Sequence, residues 1–359
     1  MEKVDEASQN AHRSSDDAGG GERGLRATVS RHLLESVSLA YGIDVGDRQI
    51  DLGGSSNLNV RVGEDEYYVV RVYRPHVTTD RLNEIHRVRH HLAAVGVPCD
   101  GLLRTRDGRT WIEVDDRLVE VEKYVEHDAD MNTWERLATG LRTLSAMHDA
   151  LANLEIGEAG RSPRFANYIS ADNAFEATLR GVRRIRQANP SKTDLQVAAN
   201  AEQLAHFLSG AERQYNDDLP AGLAHGDFWD NNVFFRDSEL VFVTDFDYIG
   251  YRPRIDDLAL TLYFTCLEFF ENPVSDRQLE HLVDLLRAYD DGTIRPLSAA
   301  ERSALPLAIA RQPLWSIGGW VVWLDAEQAA GRHAASAAGE VQWALSLTRD
   351  LARWQAAFR

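Results

Sequence analysis

The sequence predicts an α+β fold of two lobes: an antiparallel sheet with one packed helix, then a mainly helical C-terminal part. Three observations predict it. Strand-like runs crowd the first 125 residues, helical periodicity governs most of the chain after Asn132, and one strand pair, at 233–235 and 240–244, interrupts those helices. The change of pattern puts the boundary between lobes near Tyr124 to Asp130. That gives a tail at 1–24, an N-terminal lobe at 25–124 and a C-terminal lobe at 125–359.

The elements follow in order. Residues 1–24 are rich in Ser, Asp, Glu and Gly and read as a disordered tail. Val29, Leu33, Leu34, Val37 and Tyr41 recur at helical spacing, so residues 26–41 form an amphipathic helix. Strands are expected at Gln49 to Leu52, Leu58 to Val62 and Glu66 to Tyr73, the last carrying Tyr67, Tyr68, Val69, Val70 and Val72. Asp80 to Val95 is helical, with Leu82, Ile85, Val88 and Leu92 on one face, and Gly96 and Pro98 stop it. Short strands are expected around Leu102 to Thr105, Thr110 to Val114 and Arg117 to Val125, separated by Asp107-Gly108 and Asp115-Asp116. Asn132 with Glu135 resembles a capping box for a helix that places Trp134, Leu137, Leu141, Leu144 and His148 on one stripe. Further helices are expected at 165–188, 194–215, 256–270, 276–289, 299–330 and 335–357. Arg236-Asp237-Ser238 turns the strand pair. No internal repeat is visible.

Composition removes several function classes. A net charge of −17 argues against nucleic-acid binding, and no apolar run reaches membrane-spanning length. The acidic balance is compatible with a cationic substrate, though a solvated acidic surface is the simpler explanation. Two cysteines far apart, Cys99 and Cys266, make neither a disulfide framework nor a zinc site, and the N-terminus has no apolar signal core. A cytoplasmic location is expected on both counts. Lysine is scarce, limited to Lys3, Lys123 and Lys192.

The chemistry-bearing stretch is His225-Gly226-Asp227-Phe228-Trp229-Asp230-Asn231-Asn232, followed by the apolar run Val241 to Val243 and then Asp245-Phe246-Asp247. A carboxylate, an amide five residues on and a second carboxylate at a strand end are the parts needed for phosphoryl transfer. One carboxylate orients a hydroxyl, and two hard oxygen donors suit Mg²⁺ on ATP phosphates. The other reading is a turn in which Asp and Asn serve only as caps, but it must meet all the offsets by chance.

The pattern resembles the catalytic core of the aminoglycoside phosphotransferase superfamily, which includes choline, homoserine and methylthioribose kinases and shares the bilobed protein-kinase-like fold. The resemblance runs from about Asp51 to Leu260. It implies an ATP- and Mg²⁺-dependent transfer of the γ-phosphoryl group to a hydroxyl of a small molecule: an antibiotic, amino alcohol or sugar. It implies Asp227 as catalytic base or hydroxyl-orienting group, Asn232 and Asp245 as metal ligands, and His225 as a residue packed beneath the loop. Asp247 either tunes the site or satisfies the loop, and Asp257 caps its helix or braces the loop.

By the same resemblance Gly53, Gly54, Ser55 and Ser56 form a phosphate-covering turn, where glycine lets backbone N–H groups approach phosphate. Arg71 stands where the family commonly has lysine, with Glu84 either its ionic partner or a solvated helix charge. Arginine serves physically, because its guanidinium is always charged and binds phosphate bidentately. Lys123 and Val125 lie in the segment that meets adenine. Glu268 and Glu271 are candidates to hold acceptor amines, or else belong to a solvated helix end. The tryptophans Trp315, Trp320, Trp323, Trp343 and Trp354 either stack a ring or fill the core. Two other functions remain open: a protein Ser/Thr kinase of the same fold, in line with the similarity of Val72-Tyr73-Arg74-Pro75 to a bacterial stress-response kinase, and a nucleotide-binding pseudokinase acting as an interaction module.

Overall fold

The structure is a computed structural model that describes residues 26–54, 57–163, 167–215, 218–270, 273–323 and 327–359, with backbone only at 327–330. The expected N-terminal tail, Ser55, Ser56 and Glu271 lie outside the described residues. Two compact units result, one ending at His127 and the other running from Asp128 to Arg359.

In the N-terminal unit five strands form one antiparallel sheet. They are β1 (Ile50–Asp51), β2 (Leu58–Val62), β3 (Tyr68–Val72), β4 (Ile112–Val114) and β5 (Arg117–Lys123), in the order β1-β2-β3-β5-β4. Alternation sorts the faces. Val60, Val62, Val70, Val72, Val119 and Val121 pack with Leu33, Val37 and Tyr41 of helix α1 (Arg31–Tyr41). The intervening Glu120 and Glu122 reach instead to His86 and Arg89 of helix α2 (Thr79–Ala94).

Three expectations need adjustment here. Helix α1 begins at Arg31, because Ser30 caps it by accepting from Leu33 N at 3.1 Å. The stretch Leu102 to Thr105 forms only a single bridge from Leu102 to Glu122, since Thr105 N turns back to bond Arg109 O at 2.7 Å. In the second unit, the helix expected to be capped by Asn132 is capped by Thr133, whose side chain accepts from Arg136 N at 3.3 Å.

That second unit is mainly helical: α3 (Trp134–Leu151), a short α4 (Glu158–Arg161), α5 (Ala171–Gln187), α6 (Lys192–Ala211), α7 (Ile255–Phe269), α8 (Asp276–Asp291) and α9 (Ala299–Arg311). It ends in a short α10 (Val321–Trp323), α11 (Glu327–Ser336), α12 (Ala338–Arg349) and α13 (Leu351–Phe358). Strands β6 (Ala129–Asp130), β8 (Val233–Arg236) and β9 (Glu239–Val243) make one small sheet, while β7 (Ala221–Ala224) and β10 (Gly250–Pro253) pair antiparallel.

The single helix expected at 299–330 is broken. It stops at Arg311, and Ser316–Trp320 forms a π-helical turn. Backbone proximity explains the break. A Cβ on Gly318 would lie 2.8 Å from Ala177 C, and one on Gly181 would lie 1.9 Å from Ile317 O, so this turn presses against the backbone of α5. Trp343, Trp354 and Phe358 meet edge to face and are buried. No described helix is long and apolar enough to cross a membrane.

Candidate active site

Strands β7 and β10 set the site. The chain leaves β7 at Ala224, forms the loop His225 to Asn232, runs through the β8–β9 hairpin and returns past Asp245 to enter β10 at Gly250. Because Ala224 pairs with Gly250, both ends of this excursion are clamped together.

The loop itself is locked from below. Asp257, on the first turn of α7, accepts from His225 N at 2.6 Å and Gly226 N at 2.7 Å, and pairs with His148 Nε2 at 3.1 Å. It braces the loop and is not the cap of its helix, whose N-cap is Arg254. Burial alone would raise the Asp257 carboxyl, but His148 and the nearby cations hold it below the usual range. His225 accepts from Asp227 N at its Nδ1 (3.2 Å) and donates from Nε2 to Thr244 O at 3.0 Å. That assigns a neutral ring, and burial lowers its pKa. Gly226 has φ +88, and a Cβ there would lie 2.3 Å from Tyr248 O, so no other residue fits.

Asp227 sits partly buried above this bracing. Asn167 Nδ2 donates to its Oδ1 at 3.0 Å, and Asn232 Nδ2 donates to its Oδ2 at 3.0 Å and to its carbonyl at 2.9 Å. Burial, then the charge of Asp245, push the Asp227 carboxyl up to about 7. Asp245 adopts a left-handed conformation (φ 59, ψ 62) directly after β9.

These residues fit a divalent cation. Asn232 spends its amide nitrogen on Asp227 and keeps its oxygen as the ligand-capable atom, and the Asp245 charge raises the neighbouring acid. Two protein oxygen donors suit Mg²⁺, which keeps waters and binds phosphate oxygens. Among the described residues no group of three or more His, Cys, Asp or Glu side chains forms an all-protein metal cage.

The N-terminal unit holds the other candidates. Gly53 and Gly54 have φ +87 and +110, and Gly53 N donates to Asp51 Oδ1 at 2.8 Å. Arg71 on β3 is buried, with Nε 4.0 Å from Glu120 Oε1. Glu84 lies on α2, with Arg87 Nη1 3.4 Å from its carboxylate. Lys123 ends β5, and its N–H donates to Gly101 O at 2.8 Å. The carbonyl of Val125 meets His127 Nδ1 at 2.9 Å. Glu268 is exposed on the last turn of α7, about 16 Å along the helix axis from Asp257 at 1.5 Å per residue.

Sequence reading did not single out three residues that the structure places beside these candidates: Asn167 on Asp227, Glu120 on Arg71, and Arg252 beside Gly226. Asn167 was absorbed into an expected helix at 165–188, whereas α5 begins only at Ala171, after Ser170. Glu120 was legible only through the polar alternation of β5. Arg252 carried no motif.

A family model for the phosphotransferase enzyme family (APH) matches residues 48–297, well over half of the chain. The chain belongs to this family. A homoserine kinase of Rhodospirillum rubrum is 28% identical over 275 residues, covering 74% of this chain and 78% of that protein. Among solved structures, a microcompartment-associated aminopropanol kinase is similar with a TM-score of 0.67 at 19% identity, covering 89% of this chain and 97% of that one. An amicoumacin kinase in complex with AMP-PNP, Ca²⁺ and Ami has a TM-score of 0.62 at 14% identity, covering 92% and 93%. The bilobed kinase-like fold expected from the sequence is thereby established, and the phosphotransferase is a small-molecule kinase with a hydroxyl acceptor.

Proposed function

We propose that this phosphotransferase uses ATP with Mg²⁺ and that Asp227 receives the acceptor's proton. The observation that carries this reading is the Asp227 carboxylate. It is held by two neutral amides, from Asn167 and Asn232, with its pKa up at about 7. A group titrating near neutral pH is matched to general-base work. The acceptor hydroxyl hydrogen-bonds Asp227 and its oxygen attacks the γ-phosphorus. The bond to the β–γ bridging oxygen breaks, the proton passes to Asp227, and ADP leaves.

Asn232 Oδ1 and Asp245 are the residues that would hold Mg²⁺, which when bound neutralises charge on the phosphate oxygens. In the N-terminal unit, the Gly53-Gly54 turn lets the backbone approach phosphate, with Ser55 and Ser56 beside it in sequence. Arg71 supplies the cation, Glu84 and Glu120 the carboxylates for it, and Lys123 and Val125 the backbone edge for the base. Glu268 and Glu271 are left as contacts for an amine-bearing acceptor. The acceptor is a small hydroxyl compound of the size handled by kinases named for homoserine and aminopropanol. Both cysteines are free and buried, which fits a reducing cytoplasm.

The test is phosphorus NMR of ATP and Mg²⁺ with a panel of small hydroxyl compounds. A new phosphate-monoester resonance, matched by ADP, is expected with at least one acceptor. Its absence across the panel, or its undiminished presence with Asp227→Asn, would remove this reading.

A further inference from the structure

Beside the catalytic loop lies a pocket of about 370 Å³ whose lining carries three arginines, Arg161, Arg180 and Arg252, and no carboxylate. In a chain of net charge −17, such a concentration of cations runs against the overall balance.

Arg252 is the informative member. Its side chain is 5% exposed. Nη2 donates to Tyr248 O at 2.7 Å and the guanidinium lies 4.4 Å from the Tyr168 ring centroid, yet Nε is buried without a hydrogen-bond acceptor. Among the described residues no carboxylate stands within ion-pair distance of it. Its charge is felt by the more distant Asp257, whose carboxyl it helps to lower, but the buried Nε lacks an acceptor, and a buried donor left unpaired is costly unless one arrives.

Two further features converge there. Arg180 projects from α5 and has no ion pair among the described residues. Ser170, the N-cap of that 17-residue helix, also lines the pocket and makes no side-chain capping hydrogen bond.

The pocket adjoins the reacting group. Tyr168, in its wall, follows Asn167, which donates to Asp227. A Cβ on Gly226, the residue before Asp227, would lie 3.0 Å from Arg252 Nη2.

We propose that this pocket reads a carboxylate on the acceptor, so that the phosphotransferase acts on a hydroxy acid or hydroxy amino acid in preference to the corresponding amino alcohol. The proposal rests on the reading of Asp227 as the hydroxyl-orienting group. Arg252 and Arg180 grip the carboxylate through charge-assisted hydrogen bonds, and the hydroxyl extends toward Asp227.

The experiment uses matched acceptors that differ only by the carboxylate: L-homoserine with 3-aminopropan-1-ol, L-serine with ethanolamine, and L-threonine with 1-aminopropan-2-ol. Steady-state ADP formation by the full-length protein is measured for each. The acid should exceed its partner in kcat/KM by about 10- to 100-fold, the worth of one or two charged hydrogen bonds. Arg180→Ala should raise KM for the acid about tenfold and collapse the preference within the pair, and Arg180→Lys should restore part of it. An amino alcohol used as well as its acid, or a preference untouched by Arg180→Ala, overturns the proposal and leaves the transfer reading standing. Calorimetry with the three acids gives a readout independent of turnover. Binding that Arg180→Ala weakens supports the pocket even if no acceptor reacts, which would count against the transfer reading alone. No binding of any acid overturns the pocket assignment.

Discussion

Two carboxyl groups, one in each unit, have opposite electrostatics. Glu120 is fully buried in the N-terminal sheet, with His86 Nε2 at 2.6 Å, Arg89 Nη1 at 3.2 Å and Arg71 Nε at 4.0 Å. Burial would raise its pKa, but the hydrogen bond from His86 and the charges of Arg89 and Arg71 overcome it and hold the carboxyl down at about 2. At Asp227 burial acts in the same sense, the hydrogen bonds come from neutral amides, and the nearby charge is another carboxylate, so the pKa goes up to about 7. Burial alone therefore does not decide whether a carboxylate is structural or reactive. The sign of its neighbours does.

Removing the proposed proton acceptor should give the largest effect. Asp227→Asn should lower turnover by about 10²–10⁴-fold, the usual worth of a positioned proton acceptor. The same change should stabilise the metal-free protein. An acid whose folded pKa lies above its unfolded value opposes folding as it ionises, so wild type loses stability between about pH 4 and pH 7 and does not regain it above. The asparagine variant escapes that loss, by on the order of 2 kcal/mol after solvent screening is discounted. Urea melts at pH 8 in chelator check this. A less stable variant would show that Asp227 is held as Glu120 is.

Glu120→Gln tests the other half. It strips the shared anion from Arg71, Arg89 and His86 and should cost about 3 kcal/mol, as broken buried pairs do. Because the folded pKa is depressed, this stabilisation is present above the unfolded value and disappears as pH falls from about 4.5 toward 2. Wild type and variant should therefore converge in stability over that acidic window. Equal stability at pH 7 would make the cluster ornamental. A raised Michaelis constant for ATP would show in addition that Arg71 needs Glu120 to stay in place.

What the sequence revealed follows the same line. β5 and α2 were legible because valine alternation and a Leu82-Ile85-Val88-Leu92 stripe leave one reading each. The loop was legible because Gly226 and the offsets from Asp227 to Asn232 and Asp245 are chemically restrictive. Strands β7 and β10 were not, because Ala221-Gly222-Leu223-Ala224 has almost no strand propensity and its pairing is imposed by the β10 backbone. The break after Arg311 was hidden because Gly318 looks like a tolerated helix glycine until α5 is placed against it. Arg252 was invisible because a buried cation acquires meaning only from what surrounds it.

The bracing of the loop offers a smaller perturbation. His148 sits between Tyr289, whose hydroxyl is 2.7 Å from Nδ1, and Asp257. His148→Gln should cost about 1 kcal/mol and lower turnover modestly, since Asp257 keeps both backbone donors of the loop. A loss as large as that of Asp227→Asn would mean that the histidine sets the position of the reactive carboxylate.

The smallest effect is the most discriminating, because it asks whether Asp227 can be made to behave like Glu120. If the raised pKa comes from burial beside Asp245, a cation bound at Asp245 and Asn232 should oppose it, as Arg89 does at Glu120. The acid limb of the kcat/KM profile should then move down from near pH 7 by about one unit as Mg²⁺ is raised from limiting to saturating, a change of about 1.4 kcal/mol in the ionisation. Asp245→Asn removes the repelling charge and much of the metal affinity together. Its limb should start lower and respond little to Mg²⁺. A limb that stays near pH 7 at every Mg²⁺ concentration in wild type would show that burial alone sets the acidity of Asp227, and that the metal is not held next to it.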